Sequence, residues 1–200
     1  MLRTLRCGYC DCWGFSVSCL FVLVVYCAGF SFDTFLTALL VHWVMKIYFL
    51  RHAEPNYVFD RVDTGEFPGP ELTPAGEAQA KSLVNHFITI SFSHVFCSDM
   101  LRAKQTILPY AQAMNVNVAY DVRLREVDDV LNGYAQENRF LEGVASQKTR
   151  LQSFLTDIKQ LPGNATVLVV AHFNTIEWLS TQLGIPVKGS QYAQLSLIKV

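Results

Sequence analysis

Cysteine is scarce where most of the chain lies. Of six cysteines, Cys7, Cys10, Cys12, Cys19 and Cys27 precede residue 45 and only Cys97 follows it. Residues 45–200 therefore cannot close an intrachain disulfide, which reads as cytoplasmic or indifferent to redox compartment. An excess of charge of one sign is also missing. Sixteen Lys and Arg face seventeen Asp and Glu, a net charge of −1, so nothing points to nucleic acid. There are no internal repeats, low-complexity tracts or signs of a second globular domain. No tightly spaced His/Asp set suits a dinuclear metal phosphatase. Cys7-Gly-Tyr-Cys10-Asp-Cys12 looks like half a zinc site without its other half. No metal and no cofactor is expected.

Charge is absent altogether from Cys12 to Phe32. As a helix that run would measure about 31 Å, enough to cross a bilayer. Residues 1–44 therefore read as an apolar extension, and three readings stand side by side. They are a membrane anchor through residues 12–32, a cleaved signal segment, or upstream sequence absent from the working protein, with Met45 as its start. A membrane is a partner only if residues 12–32 are retained.

Residues 45–200 are enough for one well-buried core. Lys46–Leu50 is apolar and β-prone, and Arg51-His52 stand where that strand ends. Asn56–Pro70 is a polar loop long enough to lie over a site. Thr73 and Pro74 start a helix as N-cap and first residue, with an apolar stripe of Ala78, Leu83, Val84 and Phe87. Ser93–Cys97 is a second strand. Ser98 or Asp99 then caps a helix running to about Met114, with Arg102 in its first turn. Asn117–Tyr120 is a third strand, Asp121–Gly133 is irregular, and Gln136–Leu161 is a long helix. Ala165–Ala171 is a continuous β-branched run, expected to be covered on both faces, and His172 follows it. Thr175–Leu183 is a helix closed by Gly184, and Ala193–Val200 is a last strand. Alternation of this kind predicts an α/β fold, a three-layer α/β/α sandwich with a mainly parallel central sheet.

If the strands ending at Arg51-His52, Ser98 and His172 are parallel neighbours, these groups and Arg102 meet in one crevice at the carboxyl edge of the sheet. Arginine forks match phosphate oxygens two at a time, and a neutral imidazole can attack phosphorus. Cys97 lies too close to Arg102 for a tyrosine-phosphatase loop and reads as a small buried hydrophobe. His42, His86 and His94 read as structural or exposed.

The chain resembles the histidine phosphatase superfamily, the phosphoglycerate mutase-like enzymes. Leu50-Arg-His-Ala-Glu54, Leu72-Thr-Pro-Ala-Gly-Glu-Ala-Gln-Ala80, Cys97-Ser-Asp-Met-Leu-Arg-Ala-Lys-Gln-Thr106, Leu124-Arg-Glu126 and Val169-Val-Ala-His172 carry the likeness, in the family's order. The resemblance implies a phosphoglycerate mutase-like fold over residues 45–200. It makes His52 the nucleophile that becomes a phosphohistidine. Arg51, Arg102 and His172 would clamp the phosphoryl oxygens with Ser98 beside them, and Glu126 would be the proton donor, with Asp128 or Asp129 as substitutes. Ala53 stands where glycine is usual and could crowd the phosphate. Phe173 likewise puts an aromatic ring beside the pocket. These departures weigh against mutase activity more than against phosphate binding. The expected activity is metal-independent hydrolysis of a phosphorylated small molecule. The alternatives are mutase-type phosphoryl transfer, a phosphohistidine-protein phosphatase, and a catalytically silent phosphate-binding or membrane-tethered domain.

Overall fold

The order β1 (Lys46–Arg51), α1 (Pro74–Phe87), β2 (His94–Ser98), α2 (Leu101–Met114), β3 (Ala119–Asp121), α3 (Val144–Lys159), β4 (Thr166–Ala171), α4 (Phe173–Gln182) and β5 (Leu195–Lys199) is the alternation that the sequence predicts. Two short 3-10 turns, Val122–Leu124 and Asp129–Asn132, occupy the irregular stretch after β3. These elements come from a computed structural model that describes residues 44–56, 67–127, 129–133 and 142–200. His42, the uncharged run 12–32, most of the Asn56–Pro70 loop and Asp128 lie outside the described residues. Among the described residues no helix is long and apolar enough to cross a membrane.

The five strands form one sheet in the order β3-β2-β4-β1-β5. β1 to β4 run parallel, and β5 closes the edge antiparallel to β1. β4 lies between β2 and β1, which explains its unbroken apolar composition: one face meets each helical layer. Val167, Val169 and Ala171 pack with Ile47, Phe49, Leu151, Phe154, Ile158, Ile176 and Leu179, on the side of α3 and α4. Leu168 and Val170 pack with Leu50, Leu83, Phe87, Ile107 and Tyr110, on the side of α1 and α2. Each such buried aliphatic or aromatic side chain contributes roughly 1.5–3 kcal/mol. The arrangement is the three-layer sandwich.

Details differ from the sequence reading in ways that have physical causes. Thr73 caps α1 as expected, its Oγ1 accepting from the Gly76 N–H at 2.9 Å. The buried stripe, however, is Gly76, Ala80, Leu83 and Phe87, and Ala78 faces solvent. Helical phase, rather than apolar content, decides which alanine is covered. Neither Ser98 nor Asp99 is the N-cap of α2; Met100 is, without a side-chain cap bond, because both polar side chains are engaged elsewhere. α3 starts at Val144 rather than Gln136, since Gly143 is extended (φ −66°, ψ 147°). α4 starts at Phe173, two residues early, with His172 as its N-cap.

Candidate active site

Register places the site. Arg51 pairs with Ala171 across β1 and β4, so the next residues, His52 and His172, leave the sheet side by side. The His52 N–H donates to the Ala171 carbonyl at 3.0 Å. Cys97 pairs with Val170 across β2 and β4, which brings Ser98 to the same level. Arg102 follows in the first turn of α2. The imidazoles of His52 and His172 are 5.1 Å apart, centroid to centroid. His52 is 2 % exposed, and His172, Arg102 and Ser98 are fully buried. Arg51, His52, Ser98, Arg102 and His172 are thus brought together.

The hydrogen bonds assign the tautomer of His52. Its Nδ1 lies 2.8 Å from the Ala53 carbonyl, which can only accept, so Nδ1 carries the proton. Nε2 keeps its lone pair, and Arg102 Nε donates to it at 3.3 Å. His172 Nε2 lies 2.8 Å from the Ser98 hydroxyl. His172 Nδ1 is buried and, among the described residues, makes no hydrogen bond. Both imidazoles are held well below the usual histidine range, first by burial and next by the Arg102 guanidinium. Arg51 adds to both effects, and Arg150 adds to that on His172. Two neutral imidazoles in a positive field suit an anion.

Ala53 does not crowd this crevice. Its methyl group is buried with Leu72 and Ala80, and its φ is not positive. Its N–H donates to Thr106 Oγ1 at 2.9 Å, while Thr106 donates to the Arg102 carbonyl at 2.7 Å. The Glu54 N–H donates to Gln79 Oε1 at 3.0 Å, and the Leu72 N–H to Gln105 Oε1 at 2.8 Å. Gly76 is where α1 touches the Glu54 backbone, and any Cβ there would collide with the Glu54 carbonyl oxygen. The chain after His52 is therefore pinned by two helices.

Glu126 is placed against the first turn of α4. Its Oε1 accepts from the Val127 N–H at 2.9 Å, the Thr175 N–H at 3.2 Å and the Thr175 hydroxyl at 3.3 Å. The segment before it is stapled by Arg150 of α3. Arg150 donates to the carbonyls of Arg123 (2.7 Å), Arg125 (2.9 Å) and Glu126 (2.8 Å), and to Glu142 Oε2 (2.7 Å). Sequence reasoning missed Arg150. One cation on an amphipathic helix carries no signal of three backbone carbonyls brought to it by folding. It also gave no role to Gln79, Gln105 and Thr106, although all three lie inside the motifs. A buried threonine one helical turn after Arg102 was the available clue.

The other described residues singled out in the sequence do not join the site. Cys97 is buried in the apolar layer, where burial pushes its thiol well up, so it is a hydrophobe. His86 is exposed and bonds Ser82, and His94 stacks on Phe96. Asp99 pairs with Arg125 at 2.6 Å. The side chain of Asp129 lies outside the described residues.

Comparison with known proteins agrees with this geometry. The chain is 29% identical over 167 residues to a protein named probable phosphoglycerate mutase GpmB from Enterobacter sp. (strain 638), covering 72% of this chain and 77% of that one. The fold matches the alpha-ribazole phosphatase of Shigella flexneri at a TM-score of 0.61 and 21% identity, over 76% of this chain and 89% of that one. It matches a mycobacterial glucosyl-3-phosphoglycerate phosphatase, complexed with VO3, at a TM-score of 0.60 and 20% identity, over 76% and 91%. At such identities these structures speak for the fold. Residues 47–134, which include His52, Arg102 and Glu126, match the histidine phosphatase superfamily (branch 1). The motifs named in the sequence follow that family's order, and the strand ends that carry them converge.

Proposed function

We propose that residues 45–200 form a metal-independent phosphomonoesterase that hydrolyses a phosphorylated small molecule through a phosphohistidine at His52. The observation that carries this reading is the state of His52: neutral, Nδ1–H fixed on Ala53, and the Nε2 lone pair beside Arg102. Nε2 attacks phosphorus and the ester P–O bond breaks. Glu126 gives its proton to the leaving oxygen. Water then attacks phosphorus, passing a proton to the Glu126 carboxylate; the P–N bond breaks, its electron pair returns to Nε2, and orthophosphate departs. Arg51 and Arg102 meet charge on the equatorial oxygens with preorganised donors. Ser98 donates to His172 Nε2, which turns Nδ1–H toward a phosphoryl oxygen. No step in this scheme is routed through a metal.

The test is phosphate incorporation from a labelled aryl phosphate in EDTA. An acid-labile, base-stable label is expected in the wild type and none in His52→Ala. A label that survives His52→Ala unchanged ends the assignment. The second reading is phosphoryl transfer of the mutase kind, which the curated relatives' name favours. Transfer of the label to added 3-phosphoglycerate, rather than release as orthophosphate, would select it.

A further inference from the structure

Phe173, where the resemblance leads one to expect glycine, belongs to an arrangement that the scheme above does not use. The Arg51 guanidinium carbon lies 5.0 Å from the Phe173 ring centroid and 4.1 Å from that of Tyr192. Its NH1 donates to the Ser190 carbonyl at 2.6 Å. The Tyr192 ring is also 5.7 Å from the His52 ring. The turn carrying Ser190 and Tyr192 is tied to the strand end itself: the Arg51 N–H donates to the Gln194 carbonyl, and the Ala193 N–H to the His52 carbonyl, each at 3.2 Å.

That turn is bought with backbone strain. Ala193 takes a φ of 53°, a left-handed conformation that disfavours any residue with a Cβ. Such strain persists where surroundings over-determine it, and it gathers at working sites. Here Ala193 packs against the Ala53 cluster, directly behind the nucleophile.

We propose that Phe173 and Tyr192 are positioning residues, an aromatic clamp that fixes the Arg51 guanidinium before a phosphoryl group arrives. The inference rests on the assignment of Arg51 to the phosphoryl oxygens. A guanidinium is planar and weakly hydrated, so ring faces can hold it, whereas an ammonium gives a poor fit. A free arginine side chain loses rotamer freedom when it engages a ligand, and the clamp removes that freedom in advance.

The experiment uses the full chain, p-nitrophenyl phosphate for kcat and KM, and orthovanadate as inhibitor. Tyr192→Leu and Phe173→Leu are each expected to lower kcat/KM and vanadate affinity together, on the order of ten-fold. Tyr192→Phe, which keeps the ring, recovers most of the loss. The double variant Arg51→Ala/Tyr192→Leu is expected to be no worse than Arg51→Ala, because the tyrosine acts through the arginine. Multiplied losses in the double variant, or wild-type kcat/KM and vanadate affinity in Tyr192→Leu, overturn the clamp while leaving the phosphatase reading in place. An unimpaired Arg51→Ala overturns the assignment of Arg51, and the clamp with it. If Tyr192→Leu fails to fold, Phe173→Leu and its double with Arg51→Ala carry the same comparison.

Discussion

On the side of α1 and α2, the crevice is walled by residues that hold one another through short bonds close in sequence to the motifs. Thr106 holds the Ala53 N–H, Gln79 the Glu54 N–H and Gln105 the Leu72 N–H. On the side of α3, α4 and the turn before β5, the wall is assembled by residues that lie outside the motifs. Arg150 gathers three carbonyls some 25 residues upstream, and Ser190 reaches Arg51 across 139 positions. In the proposed function the first wall fixes where the phosphoryl group sits. In the same proposal the second holds the proton donor, Glu126, and orients Arg51, the parts that would face a leaving group. A scaffold built this way can keep its phosphate chemistry while the second wall changes.

That division is broken or sharpened first at Arg102. Arg102→Lys keeps a charge but loses the planar fork in a fully buried position. A loss of about 10²–10³ in kcat is expected, as for removal of one preorganised donor, with vanadate affinity falling alongside. A drop confined to KM would mean that Arg102 binds ground state and transition state alike, and the first wall would not be the catalytic one.

The second wall is tested at Arg150. Arg150→Met is expected to slow hydrolysis of an alkyl phosphate about ten-fold more than that of p-nitrophenyl phosphate, since only the poor leaving group needs a well-placed acid. Vanadate affinity should change little. Glu126→Gln is the reference and must show the same leaving-group bias. Equal losses on both substrates would make Arg150 a merely structural tie.

Thr106→Val separates the walls from the stability side. The replacement is nearly isosteric, so the Ala53 N–H is left buried without its acceptor, at a cost of about 1–3 kcal/mol. Urea unfolding should show that loss, and kcat should fall with it because His52 shares the same backbone. Unchanged kcat at reduced stability would uncouple the pins from the nucleophile.

The two walls also differ in how far they could be read from the chain. β4 was legible because a β-branched run with no polar break can only lie between two covered faces. His52, Arg102 and His172 were legible because each sits a fixed step beyond a strand, and parallel register then brings the steps together. Arg150 and Tyr192 obey no such periodicity. One is a cation among others on an exposed-looking helix, and the other lies in a turn whose shape depends on Ala193. Ser98 is an intermediate case: its burial at a strand end was readable, but that its hydroxyl serves His172 depends on the register of β2 against β4. The start of α2 was misplaced because a side chain that could cap it, Asp99, is engaged by Arg125.

The smallest expected effect is a slope, and it reports on both walls together because His52 leaves β1 and His172 leaves β4. Each imidazole has a folded pKa well below 6.5, first through burial and next through Arg102. Unfolding between that lowered value and 6.5 takes up a proton at each ring. Their contribution to stability is therefore complete above pH 6.5 and declines as pH falls below it, by up to about 1.4 kcal/mol per pH unit for each histidine. Asp99 does not confuse this window. Burial raises its pKa, but the hydrogen bond and charge of Arg125 prevail and hold it below the usual carboxylate range, so its contribution is lost only in stronger acid. Urea unfolding between pH 7.5 and 5.5 should thus show a steeper loss for the wild type than for His172→Gln, the difference approaching one histidine's share. Parallel slopes would mean that His172 is charged in the empty crevice, and the positive field inferred for the two walls would have to be redrawn around an imidazolium.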